Sequence, residues 1–268
     1  MSYQTFLVHV ENHIAHVVFN RPDRANALNK TAWHEMKTIF EDLDDNDEVR
    51  VVILSGEGKH FCGGIDLELL MDVGSINDKC EGRKREKLRR QVFELQAPIN
   101  AIEQCSKPVL AAIHGGCIGG AVDIVSACDM RYCTNEGYFC IREIDMGMVA
   151  DLGTLQRLPK LIAAGIAREM AYTGRQVYGP EAERIGLSNR SYADRPTMMA
   201  EVQQIAETIS KKSPLSIRGT KVILNHSRDH SVADGLDYMA TWNAAMLMSN
   251  DLMEAFQAKM QKREGVYQ

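Results

Sequence analysis

The sequence predicts an α/β fold of repeated ββα and βαβ units with a helical C-terminal region. Three observations predict it. Short apolar strands recur with helical stretches between them, two of these strands run directly into glycine-rich loops, and from Leu152 onward the apolar residues keep a helical spacing. In such folds ligands gather at the carboxyl ends of the strands.

Thr5–Val10 and Ile14–Phe19 are rich in β-formers and are separated by Glu11-Asn12-His13, a hairpin signal. Arg21-Pro22-Asp23 then breaks the strand. From Thr31 to about Leu43 the residues Trp33, Met36, Phe40 and Leu43 step by three or four, which predicts an amphipathic helix, and Val51–Leu54 is a short buried strand. The glycine-rich loop Gly56–Gly64 follows and leads into Ile65-Asp66. Between Asn77 and Gln104 a charged start gives way to helical spacing through Leu88, Val92, Leu95, Ile99 and Ile102, with a kink expected at Pro98. Lys107-Pro108 ends this helix, and Val109–Ile113 is a second buried strand. His114–Gly120 reads as a second glycine-rich turn, Ala121–Cys128 as a helix, and Met130–Cys133 and Tyr138–Ile141 as strands. Further on, Met198, Val202, Ile205 and Ile209 form one stripe, and Leu236, Met239, Met246, Leu252, Phe256 and Met260 continue the helical pattern, to pack on the α/β core or on a neighbouring subunit. The fourteen methionines suit adaptable core and interface packing. No repeat or linker cuts the chain, so we divide it by pattern into an α/β core, 1–195, and a helical region, 196–268.

Composition narrows the function classes. Of 268 residues, 45% are hydrophobic and 25% charged, enough to bury a core and far from a disordered composition. With 31 basic and 36 acidic residues the net charge is −5, which gives no general basic field for a nucleic acid or an anionic membrane. No apolar run reaches the ~18 residues of a membrane span. Met1–Val10 lacks the basic start and apolar stretch of a signal peptide, so the expected location is cytoplasmic. The seven cysteines (62, 80, 105, 117, 128, 133 and 140) form no CxxC pair and do not alternate with histidines, so they read as reduced and mostly buried, with no metal expected.

The candidate chemistry lies in two loops and three acids. Phe61-Cys62-Gly63-Gly64-Ile65-Asp66 and His114-Gly115-Gly116-Cys117-Ile118-Gly119-Gly120 each follow an apolar strand. Such loops let backbone N–H groups approach a ligand, and together they suggest two donors around one developing oxyanion. Neither is a Walker A loop or a GxGxxG fingerprint. Downstream lie Asp123, Glu143 and Asp151. Each has an ordinary explanation: Asp123 favours a helix N-terminus, Glu143 is a surface acid beside Arg142, and Asp151 caps a helix starting around Leu152. Taken with the loops, they describe a place to remove and return protons beside a polarised carbonyl. Arg83–Arg90 is a basic run ahead of a helix, read as a solvated face, and His114, His226 and His230 read as structural hydrogen-bonders.

These residues resemble the enoyl-CoA hydratase/isomerase (crotonase) superfamily, and within it the Δ3,5-Δ2,4-dienoyl-CoA isomerases. The likeness runs from Asn20-Arg21-Pro22 and Asn26-Ala27-Leu28 through both loops to the tail. Its most specific segments are Val122–Asp129, Arg142–Gly147, Ala150–Lys160 and Ser227–Ala233. Ala121 departs from it, standing where many relatives carry a third consecutive glycine.

The resemblance implies a crotonase-like fold and an acyl-CoA thioester substrate, with CoA carried by the substrate and no separate cofactor. It implies that the backbone N–H groups of Ile65 and Gly120 form the oxyanion hole, that Glu143 and Asp151 are the proton-transfer pair, and that Asp123 is a shorter supporting acid. Gly64, Asp66 and Gly119 are then substrate-binding. It further implies self-association as a trimer or a dimer of trimers through 196–268, which also closes the acyl-CoA site. The implied reaction converts 3,5-dienoyl-CoA to 2,4-dienoyl-CoA in fatty-acid β-oxidation. The rival readings are an enoyl-CoA hydratase, a Δ3-Δ2 isomerase, and a non-catalytic crotonase-like protein that binds RNA or a partner through the basic run.

Overall fold

A computed structural model describes residues 3–74 and 76–267; Met1 and Ser2, part of the N-terminal stretch read above, and Gln268, the last residue of the helical region, lie outside the described residues. Strands β1 (Phe6–Glu11) and β2 (Ile14–Phe19) pair antiparallel, Phe6 opposite Phe19, across the expected hairpin. Asn12 and His13 both take positive φ, 51° and 66°, the backbone sense that matches the twist of a two-residue hairpin turn. After a 3₁₀ turn at Pro22–Arg24 comes α1 (Lys30–Asp45), whose N-cap Asn29 accepts from the Ala32 N–H. Its buried face carries Trp33, Met36, Phe40 and Leu43 at the predicted spacing. Strand β3 (Val51–Gly56) then pairs parallel with β2, completing the first βαβ unit.

Helix α2 (Leu67–Gly74) and α3 (Glu81–Gln104) follow. The latter runs through Pro98 as one helix, although proline removes one backbone donor there. Next come β4 (Val109–Ile113), β5 (Gly116–Ile118), α4 (Gly120–Ala127), β6 (Met130–Thr134) and β7 (Tyr138–Cys140). A 3₁₀ turn at Glu143–Met146 precedes α5 (Thr154–Leu161) and α6 (Ala164–Thr173). They are followed by β8 (Val177–Tyr178), α7 (Gly179–Arg184), β9 (Arg190–Tyr192) and four helices: α8 (Arg195–Ser210), α9 (Pro214–Asp229), α10 (Val232–Met246) and α11 (Asn250–Gln261).

The main sheet has the order β1-β2-β3-β4-β6-β9, and a small sheet has the order β5-β7-β8. In β3, Val52 and Leu54 face a core shared with α1, α3 and α4, while Val51 and Ile53 face a second cluster with Met198, Val202 and Ala206 of α8. Burial on both faces explains why β3 and β4 read as unbroken apolar runs instead of alternating. Two readings need correction. The second glycine-rich turn contains β5, and the region after Leu152 holds β8 and β9, which at two and three residues are too short to show a period of two.

Candidate active site

The two glycine loops lie against each other. Cys62 and Cys117 pair as parallel bridge partners, and Ile118 N–H donates to the Cys62 carbonyl at 3.1 Å. Gly64 has φ +87°, and a Cβ there would stand 2.5 Å from the Ile118 carbonyl oxygen and 3.3 Å from the Gly120 nitrogen. Only glycine allows that approach. A Cβ on Gly120 would sit 3.7 Å from the Ile65 nitrogen, which places the two backbone amides side by side. Among the described residues, neither amide donates to a backbone acceptor in the turns and loops around the site. Around Ile65 the bridge to Leu28 is made by its neighbours, Leu28 N–H to the Gly64 carbonyl at 2.8 Å and Asp66 N–H to the Leu28 carbonyl at 3.0 Å. Gly120 opens α4, where the first amides have no helical acceptor. The Asp66 carboxylate meets Arg21 at 3.4 Å and accepts from the Glu68 N–H at 3.2 Å, which holds the entry to α2.

Glu143 comes from the 3₁₀ turn after β7, and its Oε1 lies 3.3 Å from where a Gly119 Cβ would stand. Arg142 pairs with Asp145 at 3.3 Å, so Glu143 is not its surface partner. Instead Glu143 turns inward: Oε2 is buried and has no hydrogen-bond partner among the described residues. Burial raises its pKa, and the nearby Asp151 charge adds to the rise. Asp151 keeps an exposed face, yet the protein mass around its carboxyl desolvates it enough to raise its pKa as well.

Asp123 is 0% exposed in the first turn of α4. Burial pushes its pKa up to about 7, against the partial relief of a 2.6 Å hydrogen bond that its Oδ1 accepts from the Thr154 N–H. Its Oδ2 has no hydrogen-bond partner among the described residues. This corrects the capping explanation for Asp151: α5 begins at Thr154 with Gly153 at the cap position, and the acid that receives its first amide is Asp123. With no capping duty, Asp151 stands at the edge of the cluster. The structure thus brings Gly64, Ile65, Gly119, Gly120 and Glu143 together, with Asp123 buried behind and Asp151 to one side.

Other candidates fall outside this arrangement. Burial pushes the thiols of Cys62 and Cys128 up to about 12 and that of Cys105 up to about 11, which leaves little thiolate for nucleophilic work. The basic run lies on the exposed first half of α3, where Arg85 pairs with Glu81, Arg90 with Glu86 and Lys87 with Asp78. His114 Nε2 bonds the Gly58 carbonyl, and His230 stacks on His226 at 3.8 Å. Among the described residues, no group of three or more His, Cys, Asp or Glu converges as metal ligands. Two contacts escaped the sequence reading. Gln96 Nε2 donates to the Asp151 carbonyl at 2.7 Å, and Trp33 donates its indole N–H to the Leu95 carbonyl at 2.9 Å while its ring edge approaches Gly120.

A profile of the family described as enoyl-CoA hydratase/isomerase matches residues 9–268. The chain belongs to the enoyl-CoA hydratase/isomerase family. It is 48% identical to a peroxisomal Delta(3,5)-Delta(2,4)-dienoyl-CoA isomerase of Arabidopsis thaliana, over 98% of this chain and 96% of that protein. It is 44% identical to a mitochondrial Delta(3,5)-Delta(2,4)-dienoyl-CoA isomerase of Mus musculus, over 95% of this chain and 78% of that one. Among solved structures, an enoyl-CoA hydratase from Bacillus anthracis superposes with a TM-score of 0.88 at 28% identity, covering 98% of this chain and 99% of that one. An enoyl-CoA hydratase from Mycobacterium tuberculosis H37Rv gives 0.85 at 28% identity, with 98% of both chains covered. The crotonase fold expected from the sequence is the fold of this chain. No helix is long and apolar enough to cross a membrane among the described residues.

Proposed function

We propose that the protein isomerises 3,5-dienoyl-CoA to 2,4-dienoyl-CoA, a step of fatty-acid β-oxidation. The Ile65 and Gly120 amides would hold the thioester oxygen as it gains negative charge, each worth roughly 3 kcal/mol in the transition state. Gly64, Gly119 and Asp66 lie on the two loops that would seat the thioester. The reaction moves a proton from C2 to C6 through an extended dienolate: Glu143 takes the C2 proton, the electron pair spreads to the thioester oxygen and along the diene, and Asp151 gives a proton to C6. One carboxyl cannot reach both ends. Asp123 supports the site by holding Thr154, and so the turn that carries Asp151.

The observation that carries the reading is Asp151, which does not cap α5, near Glu143 with its buried Oε2. A hydratase needs two acids around a water near C2 and C3, not a third acid further along. The names of the 48% and 44% identical relatives support the same choice. The pairing of the basic run with neighbouring acids gives no support to the RNA-binding reading. CoA would enter with the substrate, and no resident cofactor or metal is part of the proposal. Self-association as a trimer or dimer of trimers is supported by large apolar side chains left uncovered on α9–α11, among them Leu224, Leu236, Met253 and Phe256. In this reading 196–268 supplies the contact and closes the acyl-CoA site. Mostly buried, unpaired cysteines suit a reducing compartment and support a cytoplasmic location, which fractionation would test against the organelles of the relatives.

The test is to incubate the protein with a 3,5-dienoyl-CoA and follow the conjugated 2,4-dienoyl chromophore. Its appearance with turnover supports the proposal. Hydration of a 2-enoyl-CoA without diene formation overturns it.

A further inference from the structure

The second half of α3 carries a polar stripe, Gln96, Asn100 and Glu103, at the i, i+4, i+7 spacing of one helix face. All three face the segment from Asp151 to Arg157. Gln96 Nε2 donates to the Asp151 backbone carbonyl at 2.7 Å. Two turns along, Arg157 donates to Asn100 Oδ1 at 2.8 Å and to both oxygens of Glu103, at 3.1 and 2.9 Å. Between these anchors Gly153 has φ +131°, and a Cβ there would collide with the Arg157 guanidinium. Arg157 is largely buried, so its fork to Glu103 is sheltered from solvent. Asp123 holds the same turn from the other side through the Thr154 N–H.

We infer that Gln96 is a positioning residue for Asp151, the near end of a brace on α3 that sets how far the Asp151 carboxyl reaches into the site. This deepens the proposed function and rests on it. The contact is to the backbone and not the carboxyl, so Gln96 acts by fixing where Asp151 stands rather than by exchanging a proton. Arg157 and Glu103 make the far end rigid, and Gln96 makes the one hydrogen bond to the Asp151 carbonyl among the described residues. Just before it in the helix, Leu95 accepts from Trp33, whose ring edge lies near Gly120. The same turn of α3 therefore references Asp151 to the loop that carries Gly120, and holding one against the other is the kind of positioning a C2-to-C6 transfer needs.

The variants are Gln96→Met, which keeps length and loses the donor, and Gln96→Glu, which keeps shape and turns a carboxylate toward the carbonyl. Three readouts are taken: deuterium entry at C2, formation of the 2,4-diene, and backbone hydrogen exchange across residues 149–156. The inference expects diene formation to fall at least fivefold in both variants while C2 exchange stays within twofold of wild type. It expects amide exchange across 149–156 to rise at least threefold. Equal losses in both half-reactions, or a fully active Gln96→Glu, would overturn it, since a space-filling role tolerates an isostere. Should wild type form no diene, the proposed function fails, and the hydrogen-exchange arm decides the brace: unchanged exchange in Gln96→Met overturns it.

Discussion

Replacing Asp123 with Asn removes a buried charge while keeping the acceptor that holds α5. The fold raises the Asp123 pKa to about 7, whereas an unfolded aspartate titrates near ~3.9. The folded state therefore binds the extra proton, and stability falls as pH rises from about 4 to about 7 and is level above that. At ~1.4 kcal/mol per pH unit, the wild type loses roughly 3 kcal/mol from this group between pH 5 and pH 8. Asn has no such charge. It does place an amide nitrogen where Oδ2 has no partner, at a cost of about 1–3 kcal/mol that is the same at every pH. The sign of the effect at one pH is thus uninformative, and its slope is decisive. Urea unfolding of both proteins at half-unit steps from pH 5 to 8 measures it. Asp123→Asn should gain roughly 3 kcal/mol on wild type across that range. Parallel curves, within about 0.5 kcal/mol throughout, would refute the claim that a desolvated carboxyl sits at Asp123.

Glu143→Gln should lower both C2 exchange and diene formation by ~10²–10⁴-fold while acyl-CoA binding is kept, because the amide preserves shape but cannot take the proton; a drop under threefold in steady-state rate removes Glu143 from the mechanism. Gly64→Ala should cost ~10²-fold in kcat, since the new Cβ stands 2.5 Å from the Ile118 carbonyl and must part the two loops that carry the proposed oxyanion donors. Near-normal kcat in that variant would show that the loops are not held in register by this contact. Sedimentation at micromolar concentration should find a species of about 90 kDa, three copies of 30.0 kDa, or twice that mass. A stable 30.0 kDa monomer contradicts the proposed self-association.

Much of the fold was legible because its signals are local. The α1 stripe from Trp33 to Leu43 repeats at helical spacing, and β3 and β4 are apolar runs bounded by breakers. The two- and three-residue strands β5, β8 and β9 show no period of two, whereas β7, equally short, is flanked by enough β-formers to read as Tyr138–Ile141. The two loops were visible as glycine clusters, and their contact places the Ile65 and Gly120 amides together. The carboxylates divide differently. Asp151 precedes a helix and is a residue type that caps well, so its ordinary explanation was reasonable from sequence. Asp123 takes the capping contact from 31 positions away in the chain, and no window of sequence carries that information. Gln96 had a trace, the 96/100/103 spacing of polar residues along one helix face, but its partner is a backbone carbonyl with no signature of its own.

The central claim is that two acids divide the proton transfer, Glu143 at C2 and Asp151 at C6. The most direct measurement follows deuterium entry at C2 and 2,4-diene formation in parallel, with Asp151→Asn and 3,5-dienoyl-CoA in D₂O. The account predicts that diene formation falls at least ~10²-fold while C2 exchange through Glu143 continues. Diene formation at the wild-type rate would contradict it and leave Glu143 and Asp123 as the only acids in the reaction.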